Sequence, residues 1–128
     1  MGVLCEYKDL KHAIIHDINA LERYDDEVGE GHILSVIIFK NDSEMDSAIL
    51  ADILKKASRK SDMLFFENNM FVILMPATDK TGAGHTFSQM HEVCGELKNF
   101  SILSYPTDAF TDDEVYQKIT TEVSARRE

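Results

Sequence analysis

Apolar residues recur every three or four positions in four segments of the chain, the spacing that places them on one face of an α-helix. The first segment lies within residues 7–24, and the last follows Thr111. We therefore expect four amphipathic helices. In chain order, their predicted inner faces are Leu10, Ile14, Ile18 and Leu21; Met45, Ile49, Ile53 and Ala57; Ala83, Phe87, Met90, Cys94 and Leu97; and Val115, Ile119 and Val123.

Four other segments carry the apolar, β-branched or aromatic runs that are typical of strands. They are residues 32–39, 62–67, 70–75 and 100–105. The first, HILSVIIF, is apolar along most of its length, which predicts a strand buried on both faces of a sheet. Asn68 and Asn69 separate the second and third segments and predict a tight hairpin, because Asn tolerates the left-handed backbone of such turns.

Polar residues mark where two of the helices begin. Ser43 is a suitable N-cap for the second helix, and Glu44 and Asp46 would then favour its first turn. Thr111 begins the sequence TDDE, which places Glu114 at the third helical position. This spacing predicts a capping box at the start of the last helix.

The predicted elements follow the order α-β-α-β-β-α-β-α. Residues 32–105 form the βαββαβ arrangement of a ferredoxin-like, α+β fold, with a mostly antiparallel sheet and its two helices on one face. A helical segment (1–24) precedes this core and a helix (111–125) follows it. The 128 residues are 44% hydrophobic, enough for one core and one domain. We expect strand 70–75 to be central, with Phe71 and Ile73 on one face.

The charge balance excludes some classes of partner. Lys and Arg number 13 against 23 Asp and Glu, giving a net charge of −10. Such a surface disfavours nucleic acids and anionic membranes, because both require cationic neutralisation. No apolar run approaches the roughly 20 residues of a membrane helix, and the N-terminus lacks a signal-peptide pattern. With Cys5 and Cys94 far apart, we predict a cytoplasmic protein with reduced thiols.

Two stretches resemble a known family. RKSDMLFFENNMFVILMPATD (residues 59–79) and SYPTDAFTDDEVYQKI (residues 104–119) are similar to the core hairpin and closing segment of the GGDEF family. Members of this family are diguanylate cyclases, which make cyclic di-GMP from two GTP. The resemblance runs from about Leu10 to Ile119. The residues that fit the family's frame are Phe71, Pro76, Thr78 and Asp79. It implies the ferredoxin-like fold and a role in bacterial signalling.

The residues that the family uses for catalysis are absent at the matching positions. The signature turn falls on Glu67, Asn68, Asn69, Met70 and Phe71, so both glycines are lost and neutral Asn69 replaces a metal-binding acid. On the first predicted strand (32–39), Ser35 and Ile37 stand where the family carries its other metal-binding Asp. Mg²⁺ requires hard oxygen ligands, chiefly carboxylates. The segments that recognise guanine are also largely missing, so we expect no catalysis, no metal and no cofactor.

Other acidic or imidazole side chains are weaker candidates for a metal. Asp42 follows the first predicted strand, but a lone carboxylate there is more often a loop or capping residue. His12 and His16 lie four residues apart on a predicted helix with Asp9 nearby. Without a third convergent ligand, such a pair is more often at the surface. Cys94 lies on an apolar stripe and is predicted to be a core thiol.

One family feature is retained. Arg59 and Asp62 match the Arg-x-x-Asp motif of the inhibitory site, where the family binds cyclic di-GMP, and these side chains suit phosphate and guanine edges. The competing interpretation is structural: Arg59 ends a helix and Asp62 begins a strand. In that case, removing Arg59 should cost only about a few tenths of a kcal/mol through the helix dipole.

These features favour a non-catalytic regulatory domain that acts through contacts with a protein partner or a second copy. The alternative is a cyclic di-GMP receptor that uses Arg59 and Asp62. An active diguanylate cyclase ranks third, because its metal, phosphate and guanine sites are all altered together.

Overall fold

A computed structural model describes residues 2–23, 33–94 and 100–127. The predicted positions His32 and Leu97 lie outside these ranges, as does the side chain of Cys94. Among the described residues, no helix is both long and apolar enough to cross a membrane. The strands and helices are β1 (Val3–Glu6), α1 (Leu10–Arg23, after a 3-10 turn at Tyr7–Asp9), β2 (Leu34–Lys40), α2 (Ser47–Ala57), β3 (Met63–Glu67), β4 (Met70–Pro76), α3 (Lys80–Cys94), β5 (Ser101–Tyr105) and α4 (Asp112–Arg127).

The five strands form one sheet in the order β1-β3-β4-β2-β5. Strand β1 is parallel to β3, and the other pairs are antiparallel. Strand β4 is therefore central, with Phe71 opposite Phe39 on one side and Phe66 on the other. The predicted α+β, ferredoxin-like core is confirmed, as is the position of β4.

Helices cover both faces of the sheet. Helices α2 and α3 pack on the face that contains Phe71 and Ile73, as the βαββαβ order predicts. Helices α1 and α4 pack on the opposite face, against Val36 and Val72 among others. Strand β2 lies between the two layers, and every residue from Leu34 to Phe39 is at most 1% exposed. The prediction of a strand buried on both faces is confirmed.

Strand β1 was not predicted from the sequence: the helical segment expected over residues 1–24 is a strand at Val3–Glu6, and the helix begins only at Leu10. The strand has only four residues, and most of them are exposed, so no periodic pattern marks it. It is held by non-local bonds: Gly2 N donates to Lys55 O (2.9 Å), and Val3 N donates to Asp62 O (3.0 Å). A Cβ on Gly2 would lie 2.8 Å from the Cβ of Ser58, so this close approach requires glycine.

Helix α2 begins later than predicted. Its N-cap is Asp46, whose Oδ1 accepts from Ala48 N at 2.8 Å, and not Ser43. Ser43 instead lies in the preceding loop, where its backbone N donates to Asn41 Oδ1 (3.1 Å). The N-cap is therefore Asp46, an acid that the sequence pattern had placed in the first turn of the helix.

The buried face of α2 is also offset from the predicted stripe. Leu50, Ala51 and Leu54 are 0% exposed, whereas Ile49 is 57% exposed. Ala57 is exposed as well. The helix carries two overlapping apolar stripes, and the one with two leucines packs against the aromatic core. Periodicity alone did not distinguish them.

Two local signals are confirmed at the hairpin and at the last helix. Asn68 has a φ of 56°, the left-handed conformation that the turn requires. Thr111 Oγ1 accepts from Glu114 N at 3.1 Å, which is half of the predicted capping box. The inner faces of α1 and α4 are buried as predicted.

Candidate functional site

The signature turn lies beside the loop that joins β2 to α2. Asn41 N donates to Asn69 O (2.7 Å), and Ser47 Oγ donates to Asn69 Oδ1 (2.9 Å). The hairpin is thus tied to the end of β2 and to the first residue of α2. In the resemblance, Asn69 replaces the metal-binding acid of the turn.

Asn41 is the centre of this polar cluster. Its Nδ2 donates to Met45 O (2.9 Å) and to Ser47 Oγ (3.1 Å), while its Oδ1 accepts from Ser43 Oγ (2.5 Å). The side chain is nearly buried, with the residue 7% exposed. All these groups are neutral amides, hydroxyls or backbone. We call Asn41, Ser43, Ser47 and Asn69 the neutral cluster.

The two positions on β2 that match the family's metal-binding residues are closed to solvent. Ser35 and Ile37 are both 0% exposed. Ser35 Oγ donates to Thr78 O (2.5 Å) and lies 2.9 Å from Ser104 Oγ. Ile37 is paired with Ile73 on one side and Ile102 on the other, within the core beneath α2 and α3.

The acidic and imidazole candidates do not converge. Within residues 2–23, 33–94 and 100–127, no group of three or more His, Cys, Asp or Glu is placed to hold a metal. Asp42 is exposed and lines a cleft of about 530 Å³ with Lys40, Phe100 and Arg126. His12 is exposed on α1, and His16 is 81% exposed.

Arg59 and Asp62 lie close together, and Asp62 bonds to Arg59 itself. Asp62 is 0% exposed, and its two oxygens accept from Arg59 N (3.0 Å) and Arg59 Nη2 (3.1 Å). The same Nη2 contacts Thr78 Oγ1 and lies 3.4 Å from Pro76 O. The motif therefore joins the end of α2, the start of β3 and the end of β4. These contacts exceed those of a simple helix end.

The exposed half of Arg59 lines a cleft of about 390 Å³ beside the first turns of α3. Thr78, Asp79 and His85 also line this cleft. Asp79 Oδ1 accepts from Gly82 N at 2.7 Å, so this acid caps α3. A ligand in the cleft would reach Arg59, but Asp62 lies beneath it.

Sequence reasoning missed one buried acid, Asp17 on α1. The residue is only 7% exposed, and its Oδ2 has no hydrogen-bond partner among the described residues. Burial raises the pKa of Asp17, while the neighbouring His16 opposes that rise. The available signal was its spacing: Asp17 lies three residues after Ile14 and four before Leu21, on the buried stripe of the helix.

This chain is similar to known proteins in structure and not in sequence. No family model matches the sequence, and no curated protein matches it. Among solved structures, a DGC protein from Thermotoga maritima superposes with a TM-score of 0.59 at 14% identity, covering 94% of this chain and 95% of that one.

Two structures from Pseudomonas aeruginosa are also similar. Diguanylate cyclase SiaD, solved in complex with its activator SiaC, gives a TM-score of 0.57 at 11% identity over 95% of this chain. PelD 158-CT, from strain PAO1, gives 0.55 at 14% identity over 87% of this chain. The chain spans 54% of the SiaD chain and 45% of the PelD chain. The GGDEF-like fold expected from the sequence is thus confirmed.

Proposed function

We propose that this chain is a non-catalytic regulatory domain that keeps the diguanylate cyclase fold and acts through protein contacts. The observation that carries the proposal is the burial of two side chains on β2. Ser35 and Ile37, at the positions where the family holds metal, are wholly buried and already packed or hydrogen-bonded. Neither presents an oxygen to a bound nucleotide.

The chemistry of cyclisation explains why these positions matter. Metal ions neutralise the charge that develops on reacting phosphates, and Mg²⁺ takes carboxylate oxygens as protein ligands. Ile37 has no ligand atom, and the hydroxyl of Ser35 is engaged with Thr78 O. A triphosphate at the turn would also bring negative charge to a chain of net charge −10. The neutral cluster offers no cation to offset that charge.

Support for a protein partner comes from the surface and from a relative in structure. Ile49 and Phe110 are 57% and 70% exposed, and burying such side chains against a partner is favourable. SiaD, which shares the fold, was solved with a protein activator bound. The proposed partner of this chain is a second protein or a second copy of the chain itself.

Calorimetric titration tests the proposal. We expect no saturable heat from GTP or from cyclic di-GMP, with or without Mg²⁺, up to high micromolar ligand. Saturable GTP binding that requires Mg²⁺ would contradict it, because the chain would then hold a metal–nucleotide complex. In that event, loss of binding in Asp42→Ala would identify Asp42 as the missed ligand.

A cyclic di-GMP receptor is the second candidate, and one observation favours it. The side chain of Arg59 is 51% exposed and lines the cleft beside α3. Asp62 weakens this candidate, because its carboxylate is 0% exposed and already accepts from Arg59 N and Arg59 Nη2, so it presents no accessible oxygen to a ligand. Saturable cyclic di-GMP binding that is lost in Arg59→Ala and kept in Lys56→Ala would establish the receptor role.

A further inference from the structure

Strand β1 forms an open edge of the sheet. It is the outermost strand beside β3, and within the described residues no strand lies on its other side. Val3 N donates to Asp62 O (3.0 Å), so the backbone groups of Val3 point towards β3. Because these groups alternate along a strand, the N–H and C=O of Leu4 point outwards. An edge of this kind is a template for pairing with another chain.

The opposite edge of the sheet, at β5, is protected. Ser104 N donates to Asp108 Oδ2 (2.9 Å), and Asp108 N donates to Ser104 O (2.7 Å). The loop after β5 thus occupies backbone groups that another strand would use. Across residues 2–23, 33–94 and 100–127, no comparable bond covers Leu4. Only the β1 edge is therefore left available in the described part of the sheet.

Apolar side chains flank this edge on both faces of the sheet. Val3 is 50% exposed and Leu4 is 42% exposed. Val3 lines a cleft of about 430 Å³ on the α1 face, together with Met63 and Pro76. Leu4 is paired with Leu64, which belongs to the layer of α2 and α3. A strand added to β1 would cover apolar surface on both faces, which is favourable.

The charges at the two ends of β1 differ in sign. Its first residues lie beside Lys55, whose carbonyl O accepts from Gly2 N at 2.9 Å, and Lys60 is exposed and lines the same cleft as Val3. At the other end, Glu6 and Asp9 are exposed. Lys8 pairs with Glu6 at 3.0 Å, so Asp9 leaves that end acidic. An antiparallel second copy would place its acidic end beside the basic end of the first.

We propose that two copies of this chain pair through β1 in antiparallel orientation, with Leu4 of each copy opposite Leu4 of the other. The outward N–H and C=O of each Leu4 then bond to the second copy, and Val3 lies opposite Cys5 of that copy. The same edge serves both copies, as a two-fold interface requires. This inference rests on the proposed function and names a second copy as the protein partner.

The dimer is expected to be weak. The strand has four residues, and each copy carries a net charge of −10, which opposes association. Small interfaces are typical of transient complexes, so we expect a dissociation constant on the order of 100 μM.

Sedimentation velocity of the full chain over a concentration series tests the proposal. We expect a monomer at low micromolar and a dimer at high micromolar concentration. Leu4→Lys should weaken the dimer at least about tenfold, because it sets like charges opposite each other at the two-fold axis. Phe110→Lys is the matched control: Phe110 is 70% exposed and lies between β5 and α4, so dimerisation should be unchanged.

A disulfide cross-link tests the register. Opposite residues that do not exchange hydrogen bonds have Cα atoms about 4.5 Å apart, within the range of about 4.4–6.8 Å that a disulfide spans. Oxidation of Val3→Cys with diamide, with Cys94→Ala in the background, should therefore give a covalent dimer through Cys5 of the second copy. The same chain with Cys5→Ser is the control and should remain uncross-linked.

A monomer at every concentration would overturn the pairing, as would a dimer that survives Leu4→Lys or is lost in Phe110→Lys. A cross-link that persists in Cys5→Ser would also contradict it. Dispersed proton–nitrogen spectra show that each variant is folded. These outcomes are separate from the proposed function: formation of cyclic di-GMP would overturn that function without affecting the dimer, and a monomer would leave a different protein as the partner.

Discussion

Buried polar side chains in this protein differ in whether their atoms find partners. Ser35 and Asp62 are both 0% exposed, and both have hydrogen-bond partners: Ser35 contacts Thr78 O and Ser104 Oγ, and Asp62 accepts from Arg59. Asp17 is nearly as buried, yet its Oδ2 has no hydrogen-bond partner within residues 2–23, 33–94 and 100–127. At the scale of single residues, these differences set the sign of the effect of mutation: removing a satisfied partner destabilises the fold, whereas neutralising an unsatisfied charge stabilises it.

Asp17→Asn should increase the free energy of unfolding by about 1 kcal/mol at neutral pH, because the buried charge is removed at nearly constant volume. The pKa of Asp17 is raised above its ordinary value of 3.8. The folded state therefore binds this proton more tightly than the unfolded state does. The stabilisation from protonation is present below that ordinary value and is lost as pH rises through the raised pKa.

Urea unfolding across a pH series checks both the magnitude and the sign. The difference between Asp17→Asn and the natural chain should be small in acid and should grow as the pH rises towards neutral. A difference that stays constant with pH would show that the effect of the substitution is not one of charge. A less stable Asn variant at neutral pH would contradict the argument outright.

Arg59→Ala should cost about 1–2 kcal/mol, well above the few tenths expected from the helix dipole alone. The reason is Asp62, which would keep a fully buried carboxylate with one of its two donors removed. Lys56→Ala serves as control, because Lys56 is 63% exposed and pairs with an exposed acid. Thermal and urea unfolding of both variants measure the difference. Equal losses of stability in the two variants would show that Arg59 acts only as a cation at the end of the helix.

At the scale of elements, the β3–β4 hairpin depends on a left-handed residue. Asn68 has a φ of 56°, which a β-branched side chain adopts only with strain. Asn68→Val should therefore destabilise the fold by about 1–2 kcal/mol, whereas Asn68→Gly should leave it within about 0.5 kcal/mol. Urea unfolding compares the two, and a Val variant as stable as the Gly variant would place the turn in another conformation.

Local sequence patterns predicted the helices and strands whose own residues repeat at helical or strand spacing. The stripe at Val115, Ile119 and Val123 is buried because helical spacing has one geometric outcome. Strand β1 has no such signal, because its pairing with β3 joins residues about sixty positions apart. The same limit applies to Arg59: its partners Pro76 and Thr78 lie on another strand end, 17 and 19 residues away. The sequence alone shows that Ser35, Ile37 and Asn69 are neutral. It does not show the hydrogen bonds of Ser35 and Asn69.

At the scale of the whole molecule, the sheet separates two sets of features. The hairpin of the family resemblance rests on the α2 and α3 layer, through Phe71 and its stacked neighbours Phe39 and Phe66. Asp17 lies on α1, in the layer of α1 and α4. The β3–β4 hairpin contributes to this layer as well, because Phe65 and Val72 belong to its buried cluster. Both layers therefore depend on the same hairpin.

The most direct measurement is incubation of the chain with GTP and either Mg²⁺ or Mn²⁺, with separation of the nucleotides by chromatography. We expect no cyclic di-GMP, because Ser35, Ile37 and Asn69 present no carboxylate to hold the metals that neutralise the reacting phosphates. Product that depends on the protein and disappears in Asp42→Ala would contradict this account. It would show that Asp42 supplies the metal site from the loop after β2.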